Sequence, residues 1–269
     1  MVCPSCGSLV GVRDDRCYAC GRANPGLWGF APLLRQFGRD LGFVPLVIGA
    51  SSLLYVLTLL ASGPDLRIAA GGINFLVPSG RALLIFGMTG TYPVFVEGAW
   101  WTLLSATWLH GSALHILFNM MWVRDLGPTM ADVIGPSRTV IIYTVSGFCG
   151  FLLSSAAGLV TGVPFTVGAS ASVFGLLGAL VHYGRKSGSS LIRGQAMNYA
   201  VVLFVMGFLM SNVDNFAHAG GFAGGYLASA FFNPLTSERG DHMLIAVLCL
   251  LATFLAVAAS IVLRLGLVR

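Results

Sequence analysis

Seven apolar runs leave this chain few ways to fold. They are Phe43–Ser62, Trp100–Val123, Thr139–Val163, Val167–Tyr183, Ala196–Ser211, Asn215–Phe232 and Met243–Leu263. A helix needs about 20 predominantly apolar residues to cross a bilayer. Inside lipid a segment must satisfy its own backbone hydrogen bonds, so runs of this length read as helices. Composition points the same way: 56% of the 269 residues are hydrophobic and 9% are charged. Soluble domains carry about 25% charged residues. The expected fold is an all-α polytopic membrane protein with seven spans. The fourth and fifth runs are short, and only Asn212-Val213-Asp214 separates the fifth from the sixth.

The cationic residues set an orientation. Arg13, Arg16, Arg22, Arg35 and Arg39 precede the first run; Arg124 and Arg138 follow the second; Arg185, Lys186 and Arg193 follow the fourth; Arg239 follows the sixth. The opposite side has Arg67 and Arg81 in the first loop, and Arg264 and Arg269 at the C-terminus. Lys and Arg accumulate on cytoplasmic loops. The expectation is an integral protein of the cell membrane with its N-terminus cytoplasmic and its C-terminus outside. The net charge of +5 is then a topology signal and not a nucleic-acid footprint. The first apolar run starts too late for a cleavable signal peptide.

Residues 1–24 read as a separate cytoplasmic head. Cys3-Pro4-Ser5-Cys6 and Cys17-Tyr18-Ala19-Cys20 are paired Cys-x-x-Cys motifs, followed by Gly7 and Gly21. Four thiolates at this spacing suit a tetrahedral zinc ion, and the glycines allow tight turns around the sulfurs. A reducing cytoplasm disfavours the alternative of two disulfides. Four sulfurs leave no open position for a substrate, so Cys3, Cys6, Cys17 and Cys20 suggest a structural zinc ribbon or interaction module. Its partner is not specified. Residues 25–42, rich in Pro and Gly among Trp28, Phe30 and Phe37, read as a linker. Cys149 and Cys249, inside apolar runs, read as inert core residues.

Polar groups inside three of the runs carry the chemistry. The second run holds His110, His115 and Asn119; the fourth holds Ser170 and Ser172; the sixth holds His218. Such groups are costly at membrane depth and suggest function. His115 and Asn119 are four apart and share a helical face. All three runs are expected to enter from the outer side, which puts His110, Ser170 and His218 at similar depth. The set suits acyl transfer: a serine nucleophile, His218 as its base, and His115, Asn119 and a backbone amide as oxyanion donors. With no buried Asp or Glu in these runs, a dyad is expected rather than a triad. Chemistry alone leaves Ser170 and Ser172 both open. Gly168, Gly175 and Gly178 face Gly220, Gly221, Gly224 and Gly225 as small-residue packing sites.

These residues resemble the rhomboid intramembrane serine proteases. The resemblance runs from about Gly98 to Phe232 and rests on Trp100-Trp101, His110…His115…Asn119, Gly168-Ala169-Ser170 and His218-Ala219-Gly220-Gly221. It implies a six-helix core over 43–235 plus one extra C-terminal helix over 236–269. It implies a Ser170–His218 dyad, an oxyanion hole of His115, Asn119 and the Ser170 amide, and supporting roles for His110, Phe174 and Gly168. Phe174 would pack on the ring of His218. Residues Gly63 to Ala99 would form a membrane-dipping first loop. No catalytic cofactor is implied. The chain departs from the family at Ala171, commonly Gly, and at Thr102, commonly Arg.

The functional expectation is an endopeptidase that cleaves single-span or polytopic membrane proteins near the outer face. The alternative is a non-catalytic membrane-protein binding or quality-control factor on the same fold. A transporter is disfavoured, because intramembrane charges and a clear inverted repeat are missing.

Overall fold

The structure is a computed structural model. It describes residues 3, 6–11, 14–23, 40–69, 75–162, 165–210, 213–236, 238 and 240–265. Most of the expected linker, and Arg13, Arg35, Arg39, Arg239 and Arg269, lie outside the described residues.

The described helices are α1 (Phe43–Ser62), α2 (Gly80–Phe86), α3 (Thr102–Ser105), α4 (Ala113–Ile134), α5 (Pro136–Thr161), α6 (Ser170–Ser187), α7 (Ser190–Leu209), α8 (Asn215–Phe231) and α9 (Gly240–Leu265). The seven long ones fall on the seven apolar runs, giving the all-α polytopic fold. Among the described residues, four regions are long and apolar enough to cross a membrane: Phe43–Asp65, Pro136–Thr161, Ser190–Leu209 and Asp241–Leu265, with mean hydropathy from 1.3 to 2.8. The other three, α4, α6 and α8, are the helices that carry the polar candidates. A small departure from all-α is an antiparallel pair, β1 (Arg67–Ala69) with β2 (Phe75–Val77), in the first loop.

The second run is the main correction. One helix over Trp100–Val123 is expected, but α3 passes into a 3₁₀ turn at Ala106–Trp108 and the chain extends at Leu109. A new helix then starts at Ala113, capped by Ser112 Oγ accepting the His115 amide at 3.2 Å. His110 therefore lies before the helix, not on its face. At the other end α4 continues past Val123 to Ile134, through Arg124-Asp125 and Gly127-Pro128. Those pairs look like loop signals, but tertiary packing overrides them. Leu126, Met130 and Ile134 are buried, and a Cβ at Gly127 would collide with Val44 of α1. Arg124 and Asp125 pair at 3.0 Å on the exposed side, which contributes little.

Only Gly135, at φ 104°, joins α4 to α5, so the expected loop around Arg138 does not exist. Arg138 is 1% exposed. Its guanidinium donates to the carbonyls of Ile134, Asn233 and Thr236 at 2.9–3.2 Å and to His242 Nδ1 at 3.2 Å. It ties α5 to the end of α8 and the start of α9.

The glycines of α8 serve two neighbours. A Cβ at Gly221 would lie 3.0 Å from Ala171 Cα, and one at Gly225 would lie 2.5 Å from Gly175 Cα, both on α6. A Cβ at Gly220 would lie 2.9 Å from the Cys149 carbonyl, and one at Gly224 would lie 2.7 Å from Cys149 Cβ, on α5. Thus α8 is wedged between α5 and α6 by two small-residue faces, rather than by the single face that pairing with α6 alone requires.

Candidate active site

Ser170 opens α6. The segment before it is fixed by backbone bonds: Thr166 and Thr89 exchange N–H···O bonds of 2.7 and 3.2 Å, and the Gly168 amide donates to Ala106 O at 3.0 Å. Val173 N donates to Ala169 O at 2.9 Å and closes the first turn. A first-turn amide has no carbonyl partner within its own helix. The Ser170 N–H is such an amide, at the positive end of the α6 dipole.

His218 is held by the first turn of α8. Asp214 caps that helix by accepting the Ala217 amide at 2.9 Å, and its other oxygen accepts the Ser154 hydroxyl. His218 Nε2 lies 2.9 Å from Ser170 Oγ. Its Nδ1 lies 3.2 Å from Asn215 Oδ1. An amide oxygen only accepts, so the ring proton sits on Nδ1 and the Nε2 lone pair faces the hydroxyl. Phe174 stacks on the imidazole with centroids 4.2 Å apart and planes at 15°.

His115 is in the opposite tautomer. Its Nδ1 accepts the Gly111 amide at 3.2 Å, which leaves the proton on Nε2. That nitrogen faces Gly168, where a Cβ would come within 2.7 Å of it. Gly168 also has φ 134°, so both space and backbone demand glycine. Asn119 donates one amide hydrogen to His115 O at 2.8 Å and keeps one more. The buried His110 ring packs edge-on to His115, with centroids 5.2 Å apart.

Ser172 does not join this group. Its hydroxyl is fully buried and donates to Tyr143 O at 2.7 Å. The methyl of Ala171 packs in an apolar cluster with Val94, Leu103, Ala106, Phe151 and Ala217. A Cβ at Gly150 would lie 2.7 Å from that methyl, so the extra carbon is accommodated by a glycine on α5. Thr102 is buried, with its hydroxyl 2.9 Å from Thr89 Oγ1 and 2.7 Å from Ala99 O.

Asn215 was not among the residues expected from sequence, where attention fell on carboxylates. The available signal was its spacing, three residues before His218 on one helical face. The arrangement is a hydroxyl beside an imidazole nitrogen, a side-chain amide on the other ring nitrogen, and N–H groups of Ser170, His115 and Asn119 nearby.

The cysteine head is built from one turn used twice. Gly7 N donates to Cys3 O and Gly21 N to Cys17 O, each at 2.9 Å, and both glycines have positive φ (76° and 72°). The four Sγ atoms lie within 4.8 Å of one another. Cys3–Cys20 and Cys6–Cys17 are 3.7 and 3.6 Å apart, far beyond a bonded disulfide. A tetrahedron with bonds of about 2.3 Å has edges of about 3.8 Å, so the sulfurs fit a metal. The Ser8 hydroxyl and amide hold the Cys6 thiol down at about 6. For Cys20 the Arg22 amide acts in the same direction, but the Cys6 sulfur above all, then desolvation and the sulfurs of Cys17 and Cys3, push it up to about 12. Such crowding resists full ionisation until a cation supplies positive charge.

Comparison with known proteins addresses the membrane core. A family model described as Rhomboid domain matches residues 97–235. Rhomboid protease GluP of Bacillus subtilis is 32% identical over 159 residues, covering 58% of this chain and 31% of that protein. RHOMBOID-like protein 7 of Arabidopsis thaliana is 34% identical over 163 residues, covering 56% of this chain and 49% of that protein. Inactive RHOMBOID-like protein 8 of the same plant is 34% identical over 127 residues, covering 45% and 35%. The chain spans half or less of the length of these relatives.

Proposed function

The chain belongs to the rhomboid family, and from that premise we propose that it is an intramembrane serine endopeptidase with Ser170 as nucleophile and His218 as base. The observation that carries this reading is the 2.9 Å contact between Ser170 Oγ and His218 Nε2, combined with Asn215 Oδ1, which accepts from the other ring nitrogen.

The chemistry follows from these atoms. Ser170 Oγ passes its proton to His218 Nε2 and attacks a peptide carbonyl. The oxyanion forms beside the Ser170 amide, His115 Nε2–H and the remaining Asn119 N–H. Collapse breaks the C–N bond as His218 returns the proton to the leaving amine. Water then attacks the acyl-enzyme with His218 again as base; the ester C–O bond breaks, and His218 returns the proton to Ser170 Oγ. Substrates are single-span or polytopic membrane proteins, cut near the outer face at segments with small or helix-breaking residues. An intact helix hides its carbonyls, so local unwinding precedes attack.

The head adds no group to this reaction. Cys3, Cys6, Cys17 and Cys20 hold a structural zinc ion on the cytoplasmic side, and the C-terminus faces out of the cell membrane. The test uses purified full-length protein in liposomes with a model single-span substrate. Ser170→Ala and His218→Ala each abolish cleavage; cleavage by Ser170→Ala at the parent rate rejects the mechanism. A fluorophosphonate probe separates the non-catalytic alternative, because a binding factor leaves Ser170 unlabelled.

A further inference from the structure

Arg264 lies near the end of α9 and is 7% exposed. A guanidinium this deep requires partners. It donates to the Leu84 carbonyl at 2.7 Å and to Glu97 Oε2 at 2.5 Å. Leu84 belongs to the last turn of α2, and its carbonyl also accepts the Gly87 amide at 3.1 Å. One turn earlier on α9, Ser260 Oγ accepts the Trp101 indole N–H at 2.9 Å. The same Ser260 oxygen lies against Gly87, where a Cβ would sit 2.7 Å from it and 2.8 Å from Ser105 Cβ. So α9 touches the first loop at Leu84, Gly87 and Glu97, and the chain just after it at Trp101.

That segment connects to the candidate nucleophile. Ser105 Oγ donates to Gly87 O at 2.8 Å. Thr89 is paired through both backbone bonds with Thr166, four residues before Ser170. Between them lies Gly168, whose backbone must keep its unusual φ for His115 to approach. A shift of the loop therefore moves the turn that sets the Ser170 hydroxyl and amide.

We infer that α9 clamps the first loop against the Ser170 turn, and that Arg264 and Glu97 are positioning residues for the reaction. The inference rests on the assignment of Ser170 as nucleophile. It gives the extra C-terminal helix a task in catalysis beyond membrane anchorage.

Arg264 is buried although Glu97 is exposed, and removing a partner from a buried charge also destabilises a protein, so the test must separate misplacement from unfolding. Fluorophosphonate labelling does this: its amplitude counts folded sites, and its rate constant reports their geometry. Full-length parent, Ser170→Ala, Arg264→Ala, Glu97→Gln, Ser260→Ala and the exchange Glu97→Arg with Arg264→Glu are compared in liposomes. For Arg264→Ala the labelling rate constant and kcat fall about tenfold at unchanged KM, since small misplacements of reacting groups carry large rate costs. The labelled fraction at saturation stays at the parent level. Glu97→Gln and Ser260→Ala give smaller falls, and the exchange recovers most of the rate. An unchanged rate constant in Arg264→Ala, or a loss confined to amplitude, overturns the inference. Failure of the parent to label, or cleavage by Ser170→Ala, strikes the nucleophile assignment instead.

Discussion

The cysteine head and the membrane core both gather distant side chains, but by opposite means. In the head, two copies of one glycine-closed turn bring four sulfurs together across 17 residues of chain. Each turn is local, and a metal ion on the four sulfurs would supply the rest. In the core, Ser170 and His218 are 48 residues apart, and no motif joins them. Their meeting depends on α8 fitting between α5 and α6 at four glycines. A locally encoded site is undone at its own ligands. A packed site is undone by a methyl group some distance from the chemistry.

Substitutions test that contrast. The largest effect after loss of Ser170 or His218 is expected at Gly168→Ala. The new Cβ meets His115 Nε2 and strains the backbone, so kcat should fall by about 10²–10³, the usual cost of one oxyanion donor. Turnover within threefold of the parent breaks the idea that the core is that tightly fitted. Next comes Asn215→Ala, which frees the His218 tautomer. A loss of about ten- to hundredfold in kcat is expected with KM unchanged, since an orienting partner acts on the base and not on binding. Recovery with Asn215→Asp sharpens the assignment.

Smaller effects fall in the head. Chelation or Cys3→Ser should unfold the cysteine head, seen as rapid proteolysis there, while core cleavage stays within about twofold because four sulfurs leave no catalytic position. If cleavage collapses with the metal, the two regions are not independent. The smallest effect is expected for Ser172→Ala. It removes one buried hydroxyl bond, at a cost of about 1 kcal/mol in stability, and should leave kcat near the parent value.

The same contrast explains what the sequence made legible. Seven helices were readable because lipid solubility is a compositional demand. Their ends were less so. Gly127-Pro128 punctuates a sequence, but packing against Val44 carries α4 through it. Gly111-Ser112 is a real break, and it moves His110 off the helix. Ser170, His218, His115 and Asn119 stood out as polar groups in apolar runs, and the structure brings the four into one region. Asn215 does not stand out in the sequence, because an amide at the start of an apolar run looks like any residue of a helix first turn. Arg138 and Arg264 read as topology charges because their partners are mostly carbonyls up to 180 residues away, which no spacing reveals.

The double glycine face of α8 also governs how this protein can vary. Two sides of the helix admit no added carbon, and the first turn is committed to Asp214, Asn215 and His218. The exposed positions Phe216, Ala219, Ala223, Leu227, Ala230 and Phe231 form the stripe that is left free. Descendants of this sequence can explore new lipids along that stripe, while everything else on the helix stays frozen.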